Sequence, residues 1–122
     1  EVMSAYNKNL FILSAVGIRA ILEGICKDKK ISSGLVPDKK GVERNRISLE
    51  GKIYGLLQNN LINKAQFEAL HELRFLGNNA VHQLDEPSKI DIQTALDIIE
   101  HMIYDLYEIP FKSTSLRKRR EK

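Results

Sequence analysis

Apolar positions recur at helical spacing over four stretches of this chain, and none alternates at the two-residue period of a half-buried strand. Residues 4–27 are apolar nearly all round. Leu10, Leu13, Gly17, Ala20, Ile21 and Gly24 share one face, and Phe11, Ile12, Val16, Ile18, Leu22 and Ile25 cover most of the rest. Such a helix is expected at the centre of a bundle. Gly17 and Gly24 lower its propensity, so their expected use is close approach by a neighbouring helix. Ser48 is a candidate N-cap for a second helix, with Ile53, Leu56, Leu57 and Leu61 inward and Asn59-Asn60 at its end. Asn63, with Gln66 three residues on, forms a capping box for a third helix, which carries Phe67 and the stripe Leu70, Leu73, Gly77, Ala80 or Val81, and Leu84. Asp85-Glu86 and Pro87 close the following turn. Ser88 with Asp91 opens a fourth helix, whose predicted inward stripe is Ile92, Ala95, Leu96, Ile99, Met102, Ile103 and Leu106, and Pro110 is expected to stop it.

Residues 28–47 hold no period and are expected to form a long loop. The predicted fold class is therefore all-α: a four-helix bundle with a long basic loop between helices one and two. The helical domain is placed at residues 1–110, with a disordered basic tail at 111–122.

At 122 residues, with one cysteine, the chain has the size of one domain and forms no internal disulfide. Cys26 on its own points to a reducing, cytoplasmic compartment. The first residue is Glu1 rather than Met, which fits a piece excised from a longer protein. The apolar run at 9–26 is long, but Arg19 and Glu23 interrupt it. Each isolated charge at a bilayer centre costs roughly 2.5–3.5 kcal/mol or more, so a buried helix is expected rather than a membrane span. The net charge of +3 is unevenly spread. Residues 27–46 carry seven Lys or Arg against three acids, and residues 112–122 carry six against one, so the rest of the chain is net negative. Any attraction to nucleic acid would come from Lys39 and Lys40 in the loop and from Arg117, Lys118, Arg119 and Arg120 in the tail. A solvated loop and a frayed end are the plainer reading of both clusters.

Candidate chemistry is sparse. Cys26, His71, His82 and His101 do not pair at ligand spacing, so no metal site and no cofactor are expected. Arg74, Asn78 and His82 are successive i, i+4 positions beside the apolar stripe of the third helix. His82 can exchange a proton near neutral pH, Arg74 can neutralise a phosphate oxygen, and Asn78 can orient either. That set suffices for metal-free RNA cleavage by the 2′-hydroxyl. The structural reading of the same positions is a polar cluster of Arg19, Glu23, Asn78 and His82 between helices one and three, and on residues alone it is favoured.

Arg19-Ala20-Ile21-Leu22-Glu23-Gly24-Ile25-Cys26, then Leu61-Ile62, then Leu73-Arg74-Phe75-Leu76-Gly77-Asn78-Asn79-Ala80-Val81-His82 resemble a prokaryotic domain-of-unknown-function family numbered 4145, over most of residues 5–108. That family is similar to the HEPN superfamily of helical domains, many of which occur in toxins, phage-defence systems and restriction enzymes. The resemblance implies a four- or five-helix bundle that often dimerises. Catalytic HEPN proteins are metal-independent RNases with four to six residues between an Arg and a His, usually with a polar residue after the Arg. Here seven residues separate Arg74 from His82, and Phe75 follows the Arg.

The favoured function is accordingly a non-catalytic dimerisation or interaction module of a larger prokaryotic protein linked to nucleic acid or phage defence. Its expected partners are a second copy, and an RNA or another protein, with no membrane. The alternative is a toxin-like, metal-independent endoribonuclease using His82 and Arg74.

Overall fold

The computed structural model describes residues 2–82 and 87–122, with side chains described over 10–80 and 87–122. They form α1 (Val2–Asp28), β1 (Gly34–Pro37), β2 (Glu43–Arg46), α2 (Leu49–Gln58), α3 (Lys64–His82), α4 (Lys89–Ile103) and α5 (Ile109–Arg120). A π-helical turn at Tyr104–Glu108 joins α4 to α5 without a break. The architecture is the expected all-α bundle with one small two-stranded sheet added. The turn residues 83–86 lie outside the described residues.

The helix starts follow their caps. Ser48 Oγ accepts from the Gly51 amide, and Ser88 Oγ accepts from the Asp91 amide. Asn63 and Gln66 form the reciprocal capping box, with Gln66 N–H to Asn63 Oδ1 at 2.8 Å and Asn63 N–H to Gln66 Oε1 at 2.9 Å. Each such cap contributes about 1 kcal/mol. The C-termini of α1 and α2 close alike. Lys30 and Asn60 take left-handed φ of 61° and 59°. The following Ile31 and Leu61 amides then reach back to Cys26 O and Leu56 O.

The core gathers Ile18, Leu22 and Cys26 of α1, Ile53 and Leu56 of α2, Leu70 and Leu73 of α3, and Ile92, Ile99 and Met102 of α4. Burying each aliphatic side chain contributes up to about 1.5–3 kcal/mol. In α1 the inward face is the one running through Ala15, Ile18, Leu22, Ile25 and Cys26. The face of Leu10, Leu13, Ala20, Ile21 and Gly24 points to solvent, with Leu13 63% exposed. A Cβ added at Gly17 or Gly24 meets nothing within 4 Å, so neither makes the expected close approach. Leu96 and Ile103 of α4, placed inward by periodicity, are likewise exposed.

The stretch 28–47 is not a structureless loop. β1 and β2 pair antiparallel, Gly34 opposite Arg46 and Pro37 opposite Glu43. Asp38 makes the turn, its Oδ1 accepting from the amides of Lys40 and Val42, while Gly41 takes φ +82°. The hairpin sits directly on α2. A Cβ on Gly51 would strike Arg46 O, one on Gly55 would strike Ser33 O, and one on Gly34 would strike Gly51 O. Glycine here admits backbone against backbone, which hydrophobic periodicity does not register. The Gln58 side chain pairs with Leu35 as a strand would, donating to its carbonyl at 2.8 Å and accepting from its amide at 2.9 Å.

Pro110 does not end the last helix. It lies just after the π-helical turn within the continuous rod, and its missing N–H leaves the carbonyl four residues earlier without that donor. Leu106 O, four residues earlier, accepts from Lys29 Nζ of the α1 C-terminus at 3.2 Å. Lys29 also lies 4.3 Å above the Tyr107 ring, and Tyr107 OH donates to Asp28 at 2.7 Å. Burial and that acidic partner push the Tyr107 hydroxyl up to about 12. α5 continues the helix with no buried residue, and it takes in residues 111–120 of the tail expected at 111–122 to be disordered.

Candidate functional site

The polar side chains singled out in the sequence fall into three seams. The first lies where α1 crosses α3. Gly77 brings the two backbones together: a Cβ there would sit 3.2 Å from Arg19 Cβ and 3.3 Å from Ala15 O. The next residue, Asn78, is thereby placed on Arg19, whose Nη1 donates to Asn78 Oδ1 at 2.8 Å. Ala80, also part of the Gly-Asn-x-Ala run, is fully buried. Three residues of that run thus hold helix against helix. The side chain of His82 lies outside the described residues.

The second seam joins α1 to α2. Glu23 Oε2 accepts from Lys52 Nζ at 2.7 Å rather than from Arg19. The pair borders an open cavity of about 410 Å³, which Lys27, Lys30 and Ser32 also line. Beside it, Cys26 is buried. Burial first and then the Glu23 charge push its thiol up to about 11, so it stays protonated and inert near neutral pH.

The third seam joins α2 to α3 and holds Arg74. Its guanidinium approaches Glu50 Oε2 at 3.3 Å, its Nε–H donates to His71 Nδ1 at 3.4 Å, and it lies 4.5 Å above the Phe75 ring. The side chain is only 13% exposed. His71 packs edge-on against Tyr54 and Phe67, with ring centroids 5.3 and 4.5 Å away. With Nδ1 accepting from Arg74, the ring proton sits on Nε2, which is buried and has no partner among the described residues. Burial, then the Arg74 charge, holds His71 below the usual histidine value.

The basic residues of the loop and tail stay apart from these seams. Lys39 and Lys40 are exposed at the hairpin turn, and Arg117, Lys118, Arg119 and Arg120 are exposed at the end of α5. Sequence reasoning missed Lys52, Glu50 and His71 as partners. Lys52 and Glu50 are joined to their mates by packing between different helices, which spacing along one helix does not encode, whereas His71 stands three residues before Arg74 on α3, a spacing that does place side chains together. Among the described residues, no group of three or more potential ligands gathers to hold a metal, and no helix is long and apolar enough to cross a membrane.

No curated protein and no solved structure matches the chain. A family model does match, over residues 1–119, nearly the whole length described above, including the Arg19–Asn78 crossing and the arm of α5. The chain therefore belongs to the family described as domain of unknown function DUF4145.

Proposed function

We propose that this domain is a non-catalytic, HEPN-like self-association and interaction module of a larger prokaryotic protein linked to nucleic acid or phage defence. The observation that carries the non-catalytic part is the engagement of Arg74. A phosphate clamp needs a guanidinium open to substrate, and this one is mostly buried between Glu50, His71 and Phe75. Asn78, the neighbour that would orient it, is bonded instead to Arg19. The self-association part rests on α1. Leu10, Leu13, Val16 and Ile21 are exposed along one side of it, and small residues at Gly17, Ala20 and Gly24 leave room for a second α1 to approach. A face repeated on two identical copies is self-complementary about a two-fold axis.

Light scattering tests the pairing. The wild type is expected to exceed the 13.9 kDa of one chain at high micromolar concentration. Leu13→Asp is expected to lower that mass, whereas Leu35→Asp, at an exposed hairpin position, is not. A wild-type mass equal to one chain removes the reading. Purified protein in EDTA is expected to leave RNA intact. Cleavage that disappears in His82→Ala would establish the endoribonuclease instead.

A further inference from the structure

Two features of the fold have no role in the seams above. The first is a groove between α3 and α4. Two cavities of about 300 and 240 Å³ lie along it and share Ile98 in their walls. Its floor is apolar, and the charged residues lining it are acids: Glu72 and Asp91 in one cavity, Asp97 and Asp105 in the other. Among the described residues no Lys or Arg lines either cavity, and His101 in the second sits against Asp97.

The second is α5. Among the described residues it touches only the π-helical turn from which it continues, and it buries no residue. Ile109 and Leu116, seven residues and two turns apart, share a face and are 47% and 63% exposed. Arg119 and Arg120, three and four residues past Leu116, flank it on either side. The charge of the arm is thus opposite to that of the groove, and its apolar pair has the spacing of a helix laid into a groove. The lengths agree as well. Twelve residues of α5 span about 18 Å, and the acid-lined run from Asp91 to Asp105 spans roughly 20 Å.

We propose that the groove between α3 and α4 receives the α5 arm of a second copy of this chain. Because α4, the π-helical turn and α5 form one continuous rod, two rods packed antiparallel lay each α5 beside the partner's α4. The exchange closes under a two-fold axis. This contact is charge-driven and separate from the α1 face, so it goes beyond the association proposed above and does not depend on it.

The test is a charge exchange in the Leu13→Asp background, where the α1 contact is removed, read by sedimentation velocity on the full chain. Leu13→Asp protein is expected to remain associated. Arg117→Glu with Arg119→Glu and Arg120→Glu makes both arm and groove negative. Glu72→Lys with Asp91→Lys, Asp97→Lys and Asp105→Lys makes both positive. Each set alone is expected to weaken association by on the order of tenfold or more through like-charge contact. Mixed together, the two proteins are expected to associate again, because each arm then meets a groove of opposite sign. Circular dichroism confirms that each variant keeps its helix content. A Leu13→Asp protein that is monomeric at high micromolar concentration overturns the arm exchange and leaves the α1 contact standing. Reversals that leave association unchanged overturn it too, as does a mixture that stays dissociated. An arm reversal that alters only RNA retention, with association untouched, assigns the arm to phosphate contact and likewise overturns it.

Discussion

Arg19 of α1 donates to Asn78 of α3 across 2.8 Å, one residue beyond the glycine that lets the two helices touch. The bond ties together elements fifty-nine residues apart and bridges a charged donor to a neutral acceptor in a half-buried seam. Hydrogen bonds to charged groups contribute about 1.5–3 kcal/mol. Asn78→Ala is therefore expected to lose about that much in urea unfolding, and Asn78→Asp, which keeps an acceptor, much less. A double-mutant cycle with Arg19→Ala should show coupling. Additivity within about 0.3 kcal/mol would mean the bond does not exist in solution.

Glu23 couples to Lys52, not to Arg19. Both partners are a quarter or more exposed, 26% for Lys52 and 36% for Glu23, so solvent screens the pair. Glu23→Ala is expected to cost about 1 kcal/mol or less, well short of the 3–5 kcal/mol of a buried pair. The cycle of Glu23→Ala with Lys52→Ala should be non-additive, and that with Arg19→Ala additive. The reverse pattern would place Glu23 in the α1–α3 seam.

His71 gives stability an acid limb. Burial and Arg74 depress its folded-state value, so the unfolded chain binds the proton more readily. Its contribution is complete above the ordinary value of about 6.5 and is lost as pH falls through the lower folded value. His101 runs the other way. A hydrogen bond to the Asp97 carbonyl and then the Asp97 charge raise it, so its small, fully exposed contribution is present at low pH and fades as pH rises. His71→Phe keeps the edge-on ring packing and removes the unpartnered Nε2–H. It also takes away the Nδ1 that accepts from Arg74, so it should flatten the limb below pH 6.5 while changing stability at neutral pH by no more than about 1 kcal/mol. An acid limb unchanged in His71→Phe would assign it to other groups.

Alanine scanning of glycines should split cleanly by element. Gly24→Ala faces open space on α1 and is expected to gain up to about 1 kcal/mol of helix propensity. Gly51→Ala forces a methyl into Arg46 O, and Gly55→Ala forces one into Ser33 O. Both are expected to lose about 1–3 kcal/mol or more and to release the hairpin, read as faster amide exchange at Leu35 and Val36. Slow exchange at those amides in Gly51→Ala would show that the hairpin is held by its own ladder and not by α2.

The order and start sites of the first four helices were legible in the sequence, because an N-cap and a 3.6-residue apolar period are local properties; α5, which has no apolar period, was not. Ser48, Asn63 with Gln66, and Ser88 cap as their spacing indicates. The hairpin was not legible. Its strands are four residues each, one of them wholly exposed, and it is held by glycine contacts and a Gln58 amide that hydrophobic patterning does not record. Likewise, an α1 that is apolar all round does not say which side faces the core. That was decided by where α3 crosses it, at Gly77, and by which residues α2 and α4 then cover. Pairing of charges was a tertiary matter as well. Glu23 had an Arg within its own helix at helical spacing, yet its carboxylate turned to Lys52, because α2 packs along that side of α1 and presents a closer cation.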